Sequence, residues 1–305
     1  MGHKISQTLT SSNFRSVTLS PQVFKHKALV DVIDPKGLSS CITLYSNSMK
    51  EYGSSILSTA TMFFQCPESA CIKYGEALFQ AVFQSYPGAF RQEVISSIVT
   101  HAGSGSASEG TAALNLLKFL TIQEPSNVAP FLPFVKGILD FADCLSNLHI
   151  RILFQALSFI AICDSDTDTS VDDELHICLR KMICSPNLKT KKQGILGCVS
   201  MACALSMCDT SSLLLPDQIR CLPKLPAART VEHVKCGISL LTTVLSCCSR
   251  MNAKGQDVLP WFYDELSSQI CSHRLHTHVI TYISEHLVQV NLSHTPCLFF
   301  DFLFP

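Results

Sequence analysis

The sequence predicts an all-α fold, an irregular α-solenoid of HEAT- or armadillo-like helical pairs. Three observations lead there. Apolar residues recur at helical spacing through segments of about 12–20 residues, separated by short Pro, Gly or Ser breaks. Strand signals are few, and no Asn-Gly or Asp-Gly hairpin turn occurs. Two such helices with their connection make a unit of roughly 35–45 residues, the size of HEAT and armadillo repeats. No clean internal repeat is visible, so the array is expected to be irregular.

The elements follow in order. Residues 1–21 are polar and rich in Ser and Thr, and are expected to form a disordered or loose arm. Periodicity begins at Val23. A long helix is predicted over 39–65, with Ile42, Tyr45, Met49, Ile56, Ala60 and Phe63 on one face. Cys66-Pro67-Glu68-Ser69 breaks it. A helix over 72–84 follows, then one over 90–101 after Tyr86-Pro87-Gly88. GSGSASEG, 103–110, reads as a flexible link ending in a cap at Ser108 before a helix over 111–122. Pro125, Pro130 and Pro133 punctuate the start of the next helix, which runs on through Phe134, Ile138, Leu139 and Phe141. Residues 148–163 form another, with Ile152, Leu153, Leu157 and Ile160 inward. Helices at about 173–184 and 188–206 flank a Ser185-Pro186-Asn187 break. A broken Pro-rich loop spans 207–229, and three more helices are expected at 230–249, 257–271 and 274–290.

Composition narrows the function. The 305 residues are 47% hydrophobic and 15% charged, too apolar for disorder. A net charge of −1 lacks the overall basic balance of an independent nucleic-acid-binding domain, so a DNA contact needs a local patch or a partner. The 16 cysteines fall in apolar periodic segments, as at Cys71, Cys163, Cys198 and Cys203, with no disulfide-framework spacing and no signal peptide. They are expected to be reduced and buried in an intracellular protein. No C-x-x-C occurs, which argues against a zinc ribbon or a thioredoxin-like site. No run of about 18 uncharged apolar residues occurs, so no membrane span is expected.

One segment stands out, LRKMICSPNLKTKKQGILGCVSMACA at 179–204. The helix after the break opens with Lys189, Lys191 and Lys192. A helix N-terminus carries about half a positive charge, so cations there are disfavoured by a few tenths of a kcal/mol each. Lys191 stands four residues before Ile195 and eight before Val199, on the face that should be buried. Lys189 and Lys192 point elsewhere. A rim lysine can snorkel, and this is the bland reading of Lys191. The sharper one is that its amine is used.

The same residues resemble the ubiquitin-acceptor segment of the Fanconi anaemia group D2 family, with its Arg-Lys, K-x-K, G-I-x-G and closing M-A. Further segments resemble the family in order: VFKHKALVDVI at 23–33, SMKEYGSSILSTA at 48–60, RQEVISSIVTHAGSGSASEGTAALNLL at 91–117, FVKGILDFAD at 134–143, SLLTTVLSCCS at 239–249 and LPWFYDELSSQI at 259–270. The likeness covers residues 22–290, taken as one solenoid, and only the central part of a longer family protein. A fragment or partial gene model is therefore expected, with an atypical end at 291–305 that closes on CLFFDFLFP.

The resemblance implies a non-enzymatic DNA-repair scaffold of the nucleus, associated with chromatin and acting in interstrand crosslink repair. Related roles in double-strand break repair, meiotic chromosome pairing and the S-phase damage checkpoint go with it. It implies Lys191 as the single monoubiquitinated lysine, with Lys192 as fallback. The implied partners are the group I paralogue, ubiquitin with its ligase complex, conjugating enzyme and deubiquitinase, and double-stranded DNA, clamped by the modified pair. No membrane partner and no cofactor are implied. Arg180, Lys181, Lys189 and Lys192 are candidate contacts to DNA or to the ligase machinery. The alternatives are a generic armadillo-like adaptor, which a regular repeat with an Asn/Trp ladder would favour, or a non-functional fragment.

Other motifs read as ordinary. In DSDTDTSVDDE, 164–174, Asp164, Asp166 and Asp168 match an EF-hand start, but Thr169 and Leu175 stand where Gly and a bidentate Glu are needed. A solvated acidic loop is expected there, with Asp172, Asp173 and Glu174 favouring the next helix start. Cys271, His273, His276 and His278 match no zinc spacing, and no metal site is expected. Trp261 is a candidate contact residue, while Phe262 and Leu266 read as core. No Walker A, H-E-x-x-H, G-x-S-x-G or G-x-G-x-x-G occurs.

Overall fold

Asp34 opens the first described helix, α1 (Pro35–Leu44). Its carboxylate accepts the N–H groups of Lys36 and Gly37 at 3.3 and 3.1 Å, and Pro35 fills a first-turn position that needs no donor. The computed structural model describes residues 25–26, 34–163, 170–207, 231–251, 258–272 and 275–288. Among these the structure is all-α: helices pack as successive pairs, the solenoid architecture that the periodicity predicts. The one β-type pairing among them is an isolated bridge, Met207 to Leu275. The predicted arm at 1–21, the proline-rich loop beyond Met207 and the end at 291–305 lie outside the described residues, as do residues 164–169 of the acidic loop.

Contacts divide the chain into two units, residues 1–120 with 131–144 and residues 121–130 with 145–305. The first holds α1, α2 (Gly53–Phe64), α3 (Ser69–Ser85), α4 (Ala89–Ala102) and most of α5 (Ala107–Gln123). Its core is aromatic. Phe63 stacks on Tyr74 at 5.7 Å between ring centroids, and Phe64 meets Phe79 edge-on at 5.0 Å. The α2–α3 pair closes tightly because Gly75 has no side chain; a Cβ there would lie 2.5 Å from the Phe64 ring and 3.1 Å from the Ala60 carbonyl.

Four expectations change. The predicted helix over 39–65 is broken, because Tyr45 leaves helical geometry at φ −106°, ψ 27°. Tyr45 is consequently 54% exposed, off the face assigned to it. A short helix at Ser46–Met49 and a 3-10 turn at Lys50–Tyr52 then reset the register for α2. The cap of α5 is Ser106 rather than Ser108. Its carbonyl accepts from Gly110 at 2.9 Å and its hydroxyl from the Glu109 N–H at 3.5 Å. Residues 125–144 do not form one helix. Pro125 and Pro133 each start a short one, Pro125–Val128 and Leu132–Lys136. A 3-10 stretch then follows over Gly137–Cys144, kinked at Phe141. Finally, the cysteines are not uniformly buried: Cys144, Cys184 and Cys271 are exposed.

The turn THAGSG at 100–105, inside the family-like stretch 91–117, has a structural role. His101, 3% exposed at the end of α4, meets the Glu109 carboxylate of α5 at 2.5 Å through Nδ1. Its ring packs edge-on against Phe64 and Phe79 at 5.2 and 6.1 Å. Glu109 stands at the capping-box position relative to Ser106, but its carboxylate binds His101, tying the two helices together across the turn.

Glu76, half-buried on α3, generates a pH prediction. Burial pushes its carboxyl up from 4.5 to about 7, against a small opposing pull from Lys73. The folded value lies above the unfolded one, so unfolding releases the proton earlier. Stability should fall as pH rises from about 4.5 through 7 and then level off. Glu76→Gln should flatten that segment of the profile and stabilise the chain by about 1–2 kcal/mol at pH 8, with no gain at pH 4. Urea melts of both proteins across this range measure it.

Candidate functional site

The second unit is built around one helix. It contains α6 (Asn147–Cys163), α7 (Ser170–Ile183), α8 (Leu188–Ser206), α9 (Val231–Met251), α10 (Leu259–Ser272) and α11 (Thr277–Tyr282). α8 packs on α6, α7, α9 and α10, and every residue from Gln193 to Ser206 is buried. α7 begins at Ser170 rather than at 173, and α8 has the predicted limits.

The α7–α8 connection follows from its residues. Ser185 N–H donates to the Met182 carbonyl at 3.1 Å, ending α7. Asn187 then takes an extended conformation and caps α8: its side-chain oxygen accepts the Lys189 N–H at 2.9 Å, and its carbonyl accepts the Lys191 N–H at 2.9 Å. Two glycines set how close the partners come. A Cβ on Gly194 would sit 2.8 Å from the Ile183 backbone nitrogen, and one on Gly197 would sit 2.6 Å from the Phe154 ring and 2.8 Å from Leu179. On α9, a Cβ at Gly237 would meet the Ser206 hydroxyl at 2.5 Å. The family-like G-I-x-G is thus a packing element that lets α8 sink between α6 and α7.

The candidate residues separate by exposure. Arg180, Lys181 and Lys189 are exposed. Lys191 is 3% exposed, on the face predicted from Ile195 and Val199. A snorkelling lysine would present more surface, so Lys191 is covered outright. Lys192 is half-buried, with Nζ 5.0 Å from the centroid of the Trp261 ring on α10. Trp261, singled out as a contact residue, therefore contacts the first turn of α8 in its own chain. Phe262 and Leu266, beside it, are fully buried. His273 and Asp164–Thr169 lie outside the described residues. His276 caps α11, accepting the His278 N–H at 3.3 Å, and its ring stacks on that of His278.

Sequence reasoning missed the ionic contact that supports this arrangement. Arg151 of α6 forms a bidentate pair with Glu265 of α10, Nε to Oε1 at 2.7 Å and Nη2 to Oε2 at 2.5 Å. Glu265 is 3% exposed and also accepts from Gln269 at 3.1 Å. Its carboxylate holds the Arg151 guanidinium above its ordinary value. The two residues are 114 positions apart, and nothing local in the sequence announces the pairing. The α8 thiols are inert by burial, which pushes Cys198 strongly up and Cys203 up to about 12. By length and a mean hydropathy of 1.2, Val231–Cys248 would suffice to cross a membrane. Val234, Leu240, Leu241, Val244 and Cys248 are buried in a helix that packs on α8, while Glu232, Lys235, Ser239, Thr242 and Ser246 are exposed, which makes it an amphipathic core helix.

A family model described as "Fanconi anaemia protein FancD2 nuclease" matches residues 7–292. The Fanconi anemia group D2 protein of Gallus gallus is 28% identical over 265 residues, covering 85% of this chain and 17% of that protein. The Mus musculus homolog is 28% identical over 273 residues and the Rattus norvegicus homolog 27% over 274, each covering 87% of this chain and 18% of the relative. The chain thus spans less than a fifth of the length of these relatives.

Two substitutions test the architecture around α8. Gly197→Ala should cost about 1–3 kcal/mol, because the Phe154 ring cannot retreat from a methyl without disturbing α6. Glu265→Ala should cost about 2–4 kcal/mol, since it leaves Arg151 and Gln269 without their carboxylate. Urea midpoints at unchanged m-value measure both.

Proposed function

This chain belongs to the FancD2 family of Fanconi anaemia proteins, and from that premise we propose that it is a DNA-repair scaffold whose regulated site is Lys191. The proposed role is the family's one in interstrand crosslink repair, with its links to double-strand break repair, meiotic pairing and the S-phase checkpoint, carried out on nuclear chromatin. The observation that carries the reading is the acceptor-like segment itself. K-x-K stands at the capped start of α8, in a chain that the family model covers from residue 7 to 292. The chain acts without catalysis of its own. It pairs with the group I paralogue, receives one ubiquitin from the ligase and conjugating enzyme, loses it to the deubiquitinase, and in the paired state clamps duplex DNA.

The burial of Lys191 supplies the regulatory logic. An amine that attacks a thioester must reach the conjugating enzyme, and at 3% exposure this one cannot. Modification requires a state in which the first turn of α8 lifts or the side chain swings out. Paralogue and DNA favour that state by binding it more tightly. Inverting a 1:99 ratio of open to closed needs about 10⁴-fold differential affinity, about 5.5 kcal/mol. Arg180, Lys181 and Lys189, exposed beside the α7–α8 turn, offer positive charge to DNA phosphate or to an acidic ligase surface.

In-vitro monoubiquitination with the family's ligase, conjugating enzyme, group I protein and duplex DNA tests this reading. A single adduct should form on the native chain, persist in Lys192→Arg and vanish in Lys191→Arg. Lys192→Arg keeps a cation over the Trp261 ring, so it removes the amine with little change in packing. Loss in Lys192→Arg alone would move the acceptor by one residue. No adduct from a folded helical chain would refute the reading. The family description carries the word nuclease, so the same preparation, given labelled duplex and divalent metal, should leave the DNA uncut.

A further inference from the structure

The chain places CPESAC, residues 66–71, at the turn from α2 into α3. The sulfur atoms of Cys66 and Cys71 and a carboxylate oxygen of Glu68 all lie within 4.8 Å of one another. Cys71 is fully buried, and Cys66 is 8% exposed with its thiol donating to the Met62 carbonyl at 3.3 Å. Across the cluster, Lys25 Nζ stands 3.2 Å from Glu68 Oε2. Two thiols and a carboxylate thus share one small volume at the N-terminus of a 17-residue helix.

We propose that Cys66, Glu68 and Cys71 form a binding site for a thiophilic divalent metal ion of the zinc class, with water completing a tetrahedron. Metal–sulfur bonds of about 2.3 Å and a metal–oxygen bond of about 2.1 Å put tetrahedral ligands roughly 3.6–3.8 Å apart. The cluster therefore closes on an ion with movements of about 1 Å or less, within reach of side-chain rotation. The spacing is C-x4-C, inside the range that zinc sites use, although it is not the C-x-x-C whose absence the sequence shows. Two thiolates exclude calcium and magnesium, which take oxygen ligands, and favour zinc. Burial pushes the Cys71 thiol above its ordinary value, so an ion that binds must displace its proton.

The apo arrangement already balances charge as a metal would. Lys25 holds the place of the cation against Glu68, and on binding its ammonium is displaced to solvent while the two thiol protons leave with it. The way in is open. The Glu68 side chain is 42% exposed and that of Lys25 25%, so an ion enters past them to the buried sulfurs. The site lies in the first unit and does not rest on the acceptor-lysine reading. Its effect is to pin the start of α3 to the end of α2, where Pro67 and Glu68 otherwise hold a turn without a side-chain cap.

Cobalt(II) is the probe, titrated into the reduced 305-residue chain with zinc added afterwards as competitor. The native chain should take one equivalent with the near-ultraviolet thiolate charge-transfer band and visible bands of a tetrahedral site, and zinc should bleach both. Cys66→Ser and Cys71→Ser should each lose the equivalent. Glu68→Gln, at a half-exposed position that leaves the fold intact, should weaken binding about tenfold. Cys184→Ser, which removes an exposed thiol elsewhere, should change nothing. An unchanged signal in Cys66→Ser and Cys71→Ser, or no signal in the native chain, would overturn the proposal. Circular dichroism on each variant separates lost binding from lost fold.

Discussion

The structure of the second unit depends on the burial of α8 from Gln193 to Ser206. Four helices cover it, and from Gln193 to Ser206 no residue reaches solvent. A helix buried on every side cannot rely on one apolar stripe; it needs small residues where neighbours come closest. Gly194, Gly197, Ala202 and Ala204 supply them, and Gly237 does the same from α9. This closeness fixes α6 and α7 against α8, and the Arg151–Glu265 pair joins α6 to α10. A buried ion pair is costly to form but more costly to break singly.

The first unit reaches order by a different balance. Its helices are held by stacked aromatics and by His101–Glu109, which closes the turn between α4 and α5. The same turn is part of the family-like stretch at 91–117. A motif that reads in sequence as a flexible link is, in the fold, a hydrogen-bonded corner. Ser106 caps α5 with backbone and hydroxyl, and the glutamate that would complete a capping box bonds a histidine of the preceding helix instead.

Much of this was legible in the sequence, for identifiable reasons. The limits of α8 follow from a capping Asn187 after Pro186 and from uninterrupted periodicity, both local signals. The inward face of Lys191 followed from its four-residue spacing to Ile195, and its burial agrees. The failures share one cause: local pattern cannot weigh tertiary competition. The predicted helix over 39–65 kept an acceptable period through Tyr45, yet the chain turns there so that Met49 and Ile56 can both be buried while Tyr45 is not. Prolines warned of breaks after 125 but could not say that 3-10 turns would replace a helix. Arg151–Glu265 and Lys192–Trp261 join residues too far apart in sequence for any periodicity to pair them.

The contrast within α8 gives its lysines their meaning. The middle of the helix is locked by glycine-mediated contact with backbone and rings. Its first turn has much weaker support. The Asn187 cap contributes about 1 kcal/mol. Lys192 over Trp261 adds about 0.5–1 kcal/mol. Against them stand Lys189, Lys191 and Lys192 at the positive end of the helix dipole, each costing some tenths of a kcal/mol. Together these local terms favour the turn by only about 1 kcal/mol, far less than the contacts that lock the helix beyond Gly194. On the proposed reading, a partner surface that offers negative charge to Lys189 and Lys192 would relieve part of the dipole penalty and compete with the Trp261 ring in one step. The first turn would then open while Gly194 and the packed helix beyond it stay in place. On that reading, a covered lysine at the weak end of a rigid helix would be exposed by local opening rather than by unfolding of the unit, and the adjacent charges would tune how much binding energy that opening takes.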